Sequence, residues 1–227
     1  MGNVLLNRRA AAIDLVAAIG WFLAWNAGEP MLDPVLRRGH GLTGILAVAA
    51  YQFTLEGMAP VIIMAFRHET FSDYGFTRRN SGRSLALALV LAAVSDLAIS
   101  WHAGALLWVP LRRHSAVRMS LAAGLPVTAL GLVVTIAVWG FFEAFFGVFF
   151  ATRLNRALGH PGHGWFSPGA LGFGLFNGLI HFSIGQGFGG FATSFASGYA
   201  IAVIPGVAGN AWGSALVQAL TNAAGRL

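Results

Sequence analysis

Long apolar runs alternate with short basic breaks along this chain. Apolar residues dominate 10–27, 41–66, 84–109, 119–152, 166–185, 188–207 and 209–224. A transmembrane helix needs about 20 apolar residues, so most of these runs are long enough and the last is short. No alternation of period two runs through them, which argues against a β-barrel. The pattern predicts an all-α integral membrane protein, a polytopic bundle of six to eight transmembrane helices forming one domain over 1–227.

The breaks are polar and rich in arginine. The longest reads RHETFSDYGFTRRNSGRS over 67–84, and Phe71, Tyr74 and Phe76 suit an interfacial segment there. The others are LRRHSAVR (111–118) and RLNRALGHPGHGWFSPG (153–169), where Pro and Gly stop any helix. From Ala157 to Gly225 there is no Asp, Glu, Lys or Arg, and small residues there let helices approach closely.

Composition agrees with a membrane protein. Charged residues make up 10% and mean hydropathy is +0.69, against about 25% charged in soluble domains. The net charge of +6 comes from arginines in loops. Their expected partners are membrane lipid headgroups, not nucleic acid. Arg8, Arg9, Arg67, Arg78, Arg79, Arg83, Arg153 and Arg156 fall on one side of the predicted bundle. Arg37, Arg38, Arg112, Arg113, Arg118 and Arg226 fall on the other. The majority places the N-terminus in the cytoplasm, and the chain reads as a bacterial inner-membrane protein. The first span has no small-x-small site before Asn26 and is read as a mature helix. With no Cys, thiol nucleophiles and thiolate metal sites are excluded.

Against this background the buried polar residues stand out. Glu143 is the only formal charge between Met119 and Thr152, and a carboxylate at that depth is costly unless it faces a protein interior, a cavity or a partner. Asp14, Glu56 and Asp96 also fall in apolar segments. Asp14 suits an interfacial position, and Glu56 and Asp96 suit either structural pairing or function. His181 sits in an otherwise apolar span. Gln218 and Asn222 are four apart and share a helix face. His160 and His163 form a loop HPGH whose default is a solvated surface.

Three segments together resemble the CPBP family of intramembrane metalloproteases, which includes the type II CAAX prenyl proteases. FFEAFFGVFFATRL (141–154) resembles the family's E-E-x-x-x-R motif, FNGLIH (176–181) its following F-x-x-x-H helix, and NAWGSALVQALTN (210–222) its last H-x-x-x-N helix. DYGFTRRN (73–80) resembles the stretch upstream of the family core, so the likeness covers roughly 70–224. It implies a CPBP-like fold, with Glu143, His181, Gln218 and Asn222 as catalytic residues. Glu143 and His181 would then hold a divalent metal such as zinc. Departures are as evident as matches. With Glu143 as the second Glu, Phe142 replaces the first and Gly147 the Arg; with Glu143 as the first, Ala144 and Val148 are the replacements. Gln218 stands in place of a His.

The function implied is a divergent or catalytically lapsed intramembrane protease. Its water would be activated by Glu and His to hydrolyse a peptide bond, in a membrane-embedded or prenylated peptide. The alternative is a non-catalytic accessory subunit of a larger membrane complex, in contact with other membrane subunits, lipid or pigment. In the pigment version His181 ligates a tetrapyrrole metal, with Gly174 and Gly178 making room. A small transporter, suggested by Glu56 and Asp96, lacks the internal repeat such proteins often carry.

Overall fold

The computed structural model describes residues 2–38, 41–103 and 124–221, all helix and connecting loop. The helices are α1 (Gly2–Arg38), α2 (Gly41–Gln52), α3 (Met58–Phe66), α4 (Ser81–Ala103), α5 (Val127–Thr135), α6 (Glu143–Leu158), α7 (Pro168–His181), α8 (Gly187–Ala208) and α9 (Trp212–Thr221). Wider π-helical turns join α2 to α3 (Phe53–Gly57), α5 to α6 (Ile136–Phe142) and α7 to α8 (Phe182–Gln186).

Among the described residues, four stretches are long and apolar enough to cross a membrane: Asn7–Gly28, Leu42–Phe66, Val127–Leu158 and Pro168–Ala208. These four are fewer than the expected six to eight. The runs at 166–185 and 188–207 form one helical stretch, and the run at 84–109 continues from α4 past the described residues. The described part of α9 has 10 residues, about 15 Å of helix against about 30 Å of hydrocarbon.

The Pro168–Ala208 stretch is a hairpin. It breaks at Ile184 and Gly185, and Gly185 and Gly187 take positive φ values of 84° and 64°, which glycine adopts without steric cost. The arms run antiparallel. Gly178 packs against Phe191, Gly174 against Phe195 and Tyr199, and Asn177 Nδ2 donates to Ser194 O at 2.8 Å.

Two prolines leave carbonyls for which the fold finds other donors or geometry. Pro205 inside α8 cannot donate to Ile201 O, and Ser214 Oγ from α9 donates to that oxygen instead at 2.7 Å. Pro60 in α3 likewise cannot serve Glu56 O, and the π-helical turn lies directly upstream of it. Trp21 of α1 donates its indole N–H to Thr54 O of that turn at 2.6 Å.

The core is aromatic and centred on α6. Phe145 and Phe149 are fully buried. Phe22 of α1 stacks on Phe146 at 5.5 Å, and Phe71 and Tyr74 from the 67–80 loop close against Phe145 and Phe149. Asn210 locks that loop to the start of α9. Its Nδ2 donates to Thr77 O and Arg79 O, and its Oδ1 accepts from Trp212 N.

Charged residues collect at one end of the bundle. Arg67 donates to Asp14 at 2.7 Å. Buried Arg153 reaches both Asp14 (3.4 Å) and Glu69 (2.5 Å), and Arg156 reaches Glu69 (2.7 Å). Arg8 lies against Gly159. Asp14 is therefore a buried ion-pair partner.

Candidate functional site

The two π-helical turns bring two carboxylates to one place. Glu56 lies inside the first turn, and Glu143 directly succeeds the second. The turns abut: Phe53 and Phe142 meet edge to face at 4.7 Å, and Gly57 is packed against the Phe53 ring and the Phe142 Cβ. A π-turn inserts a residue, rotates the side chains downstream of it and often marks a functional site. Here Glu56 within the first turn and Glu143 after the second line the same interior point.

That point is a small cavity lined by Phe22, Glu56, Glu143, Phe146, Phe173, Phe176, Asn177, Ile201 and Gln218. The π-turn after α2 and helices α1, α6, α7, α8 and α9 all contribute. The space open to the centre of a water molecule is about 20 Å³, room for one water. Four polar side chains face it, two carboxylates and two amides, and the remaining wall is aromatic and aliphatic. Glu56 and Glu143 are close enough to interact electrostatically, and Gln52 hydrogen-bonds Glu56. Glu56 Oε2 is sealed from solvent and accepts no hydrogen bond. Asn177 donates from Nδ2 to Ser194 O at 2.8 Å.

Two residues of the expected constellation fall together. Glu143 and Gln218 do share a cavity. His181 is not among its lining residues: it lies at the end of α7, where Nδ1 is 3.0 Å from Gln186 Oε1 of the hairpin turn. Asn222 lies outside the described residues. Two lining residues, Glu56 and Asn177, are not linked to Glu143 by any sequence pattern. Pro60 is the one local signal for Glu56, since it marks where the helix must widen.

Other candidates separate cleanly. Asp96 is buried on α4 with Oδ1 accepting no hydrogen bond, and it does not line the cavity. His160 Nδ1 accepts from Gly162 N, which makes HPGH a local turn. Phe191 and Phe195 pack beside Gly178 and Gly174, so those glycines make room for the hairpin's own rings. Gly147, at the motif position of an Arg, faces Phe173 and Ile201 so tightly that a Cβ would collide.

Zinc prefers His nitrogen and Cys sulfur, commonly with three protein ligands at a catalytic site. Among the described residues no three His, Cys, Asp or Glu side chains form such a group, and the one expected imidazole faces Gln186. The cavity's oxygen-only donors do not fit a zinc site built on Glu143 and His181. No protein-family model matches the chain, and neither does a curated protein or a solved structure.

Proposed function

We propose that the chain is a CPBP-like intramembrane protein in the lapsed branch of that resemblance. It keeps the location of a hydrolytic site and works as a non-catalytic membrane subunit. The observation that carries this is the composition of the cavity. Glu143 and Gln218 line it with Glu56 and Asn177, no imidazole is among its lining residues, and His181 Nδ1 lies 3.0 Å from Gln186 Oε1 of the hairpin turn. Peptide hydrolysis needs a base, an attacking water and oxyanion donors around a carbonyl. Here aromatic rings from α1, α6 and α7 occupy the surrounding space. The many exposed apolar side chains, such as Leu85, Leu89, Val90, Val94 and Leu97 on α4, suit lipid or neighbouring subunits.

The test is turnover of a prenylated or membrane-embedded peptide by protein in liposomes. Wild type and Glu143→Ala should give the same background rate. Turnover that Glu143→Ala abolishes would end the non-catalytic reading.

Counting the hairpin's two arms separately and adding α4 makes six crossings, with the arginine-rich end in the cytoplasm as the positive-inside rule favours. The chain has no cysteine, so single cysteines report topology directly. Ile184→Cys should react with an impermeant maleimide on intact cells, and Arg78→Cys only after permeabilisation. The reverse would invert the orientation, and labelling of both from one side would remove the hairpin crossing.

A further inference from the structure

We propose that the arginine-rich end of the bundle is a binding face for the phosphate groups of anionic phospholipids. Arg8, seated on the C-terminal turn of α6, is its best-fixed contact. The inference rests on membrane insertion alone. It holds for either orientation of the chain, and whether or not the interior cavity hydrolyses peptides.

The first argument is charge. Arg67, Arg153 and Arg156 are spent on Asp14 and Glu69. Arg8, Arg9, Arg78, Arg79 and Arg83 are exposed, and among the described residues no carboxylate pairs with them. The third acid of this end, Asp73, is tied to Thr70 in a capping box. Eight arginines therefore meet three acids, an excess of five positive charges. The paired arginines also stay open to the surroundings, since the Arg67 and Arg156 side chains are 42% and 41% exposed.

The second argument is the seat of Arg8. Gly159 ends α6 with a positive φ of 69°, and a Cβ there would collide with the Arg8 guanidinium. The guanidinium therefore lies against the glycine, in space that a larger residue would fill. Gly159 N donates to Arg156 O at 3.1 Å, so Arg8 is held at the turn that carries Arg156. The negative end of the α6 dipole favours a cation there. A planar guanidinium with unspent N–H groups can bind a phosphate through two parallel hydrogen bonds.

The third argument is depth, and it selects a lipid over a soluble anion. The span Asn7–Gly28 starts one residue before Arg8, Leu42–Phe66 stops one residue before Arg67, and Val127–Leu158 stops two residues after Arg156. Large apolar side chains project beside these arginines: Phe66 is 81% exposed and Phe166 82%, and Leu158 and Trp165 are exposed too. Aromatic rings at span ends sit at headgroup level. Arginine stems lie along apolar surface while their charges reach outward. A phospholipid matches both halves of this surface, phosphate on guanidinium and acyl chain on ring. The excess positive charge selects lipids of net negative charge.

The experiment places the full-length protein in nanodiscs of phosphatidylcholine, or of an equal mixture of phosphatidylcholine and phosphatidylglycerol. Retained lipid is identified by native mass spectrometry, and melting is followed in the same discs. The retained lipid should be enriched in phosphatidylglycerol by at least about twofold over the bulk mixture. The melting temperature should be higher in the mixture than in phosphatidylcholine, as binding to the folded state requires, and both effects should shrink at high salt. Arg8→Gln should reduce both, and Arg8→Gln combined with Arg78→Gln and Arg79→Gln should nearly abolish them. These side chains are exposed and unpaired, so melting in pure phosphatidylcholine should stay at the wild-type value, which separates lost lipid from lost fold. Equal retention of the two lipids by wild type would overturn the proposal, as would an enrichment that the triple variant keeps. So would inorganic phosphate in phosphatidylcholine discs raising the melting temperature as much as phosphatidylglycerol does, because the face would then take a soluble anion.

Discussion

Arg153 is 3% exposed, yet its guanidinium is shared between Asp14 on α1 and Glu69 beyond α3, and it lies over the ring of Phe149 at 5.0 Å. Removing one partner of a buried ionic network strands the others, at a typical cost of about 3–5 kcal/mol. Arg153→Met should therefore lower the melting temperature of the purified protein far more than Arg78→Met, whose side chain is exposed. The same network makes stability depend on pH. Burial alone would raise the Glu69 pKa, but hydrogen bonds from Arg153, Tyr74 and Arg156 outweigh it and hold the pKa below its ordinary value of 4.5. A lowered carboxylate pKa stabilises the folded state above about pH 4.5, and that stability is lost as pH falls through the lower folded value. Acid melting curves should show the loss in wild type, and it should be smaller in Glu69→Gln. Much of this was out of reach of the sequence. Arg153 reads as one more loop arginine and Asp14 as an interfacial acid, because nothing local indicates that positions so far apart in the chain will meet. Glu143 and Gln218 were legible because an acid and an amide inside apolar runs need a polar site wherever they fall.

Helix existence was the easier part to read, since each apolar run does become helix where it is described. What the runs conceal is register. Phe53–Gly57 and Ile136–Phe142 widen into π-turns without any change in hydrophobicity, and one inserted residue rotates the downstream side chains by about 100°. That rotation decides whether Glu56 faces lipid or Glu143. Pro60 hints at the first turn. At the second, Gly140 lets Ala219 of α9 approach closely, a contact that periodicity alone does not reveal. His181 shows a different limit of the pattern. Its motif spacing suggests a shared site, but α7 ends there and the backbone turns at Gly185 and Gly187, which sets the imidazole against Gln186. The carbonyl left by Pro205 and capped by Ser214 shows the same limit: the sequence reveals the missing donor but not its replacement.

For the whole molecule, apolar surface drives burial in lipid, the arginine cluster closes one end, and the interior polar site lies where the bent helices converge. Membrane character and the alternation of basic breaks were readable from composition alone. The span count was harder to read, because two of the runs join into one helical stretch that turns back on itself at Ile184 and Gly185. The central claim is that Glu56 and Glu143 share one interior cavity and act on each other. A double-mutant cycle of Glu56→Gln, Glu143→Gln and the pair, measured by unfolding, tests it most directly. Each single change should relieve the repulsion, so the double change should add little beyond either one. The expected coupling is at least about 0.5 kcal/mol, as for residues in contact. Additive effects of the two substitutions would contradict the account.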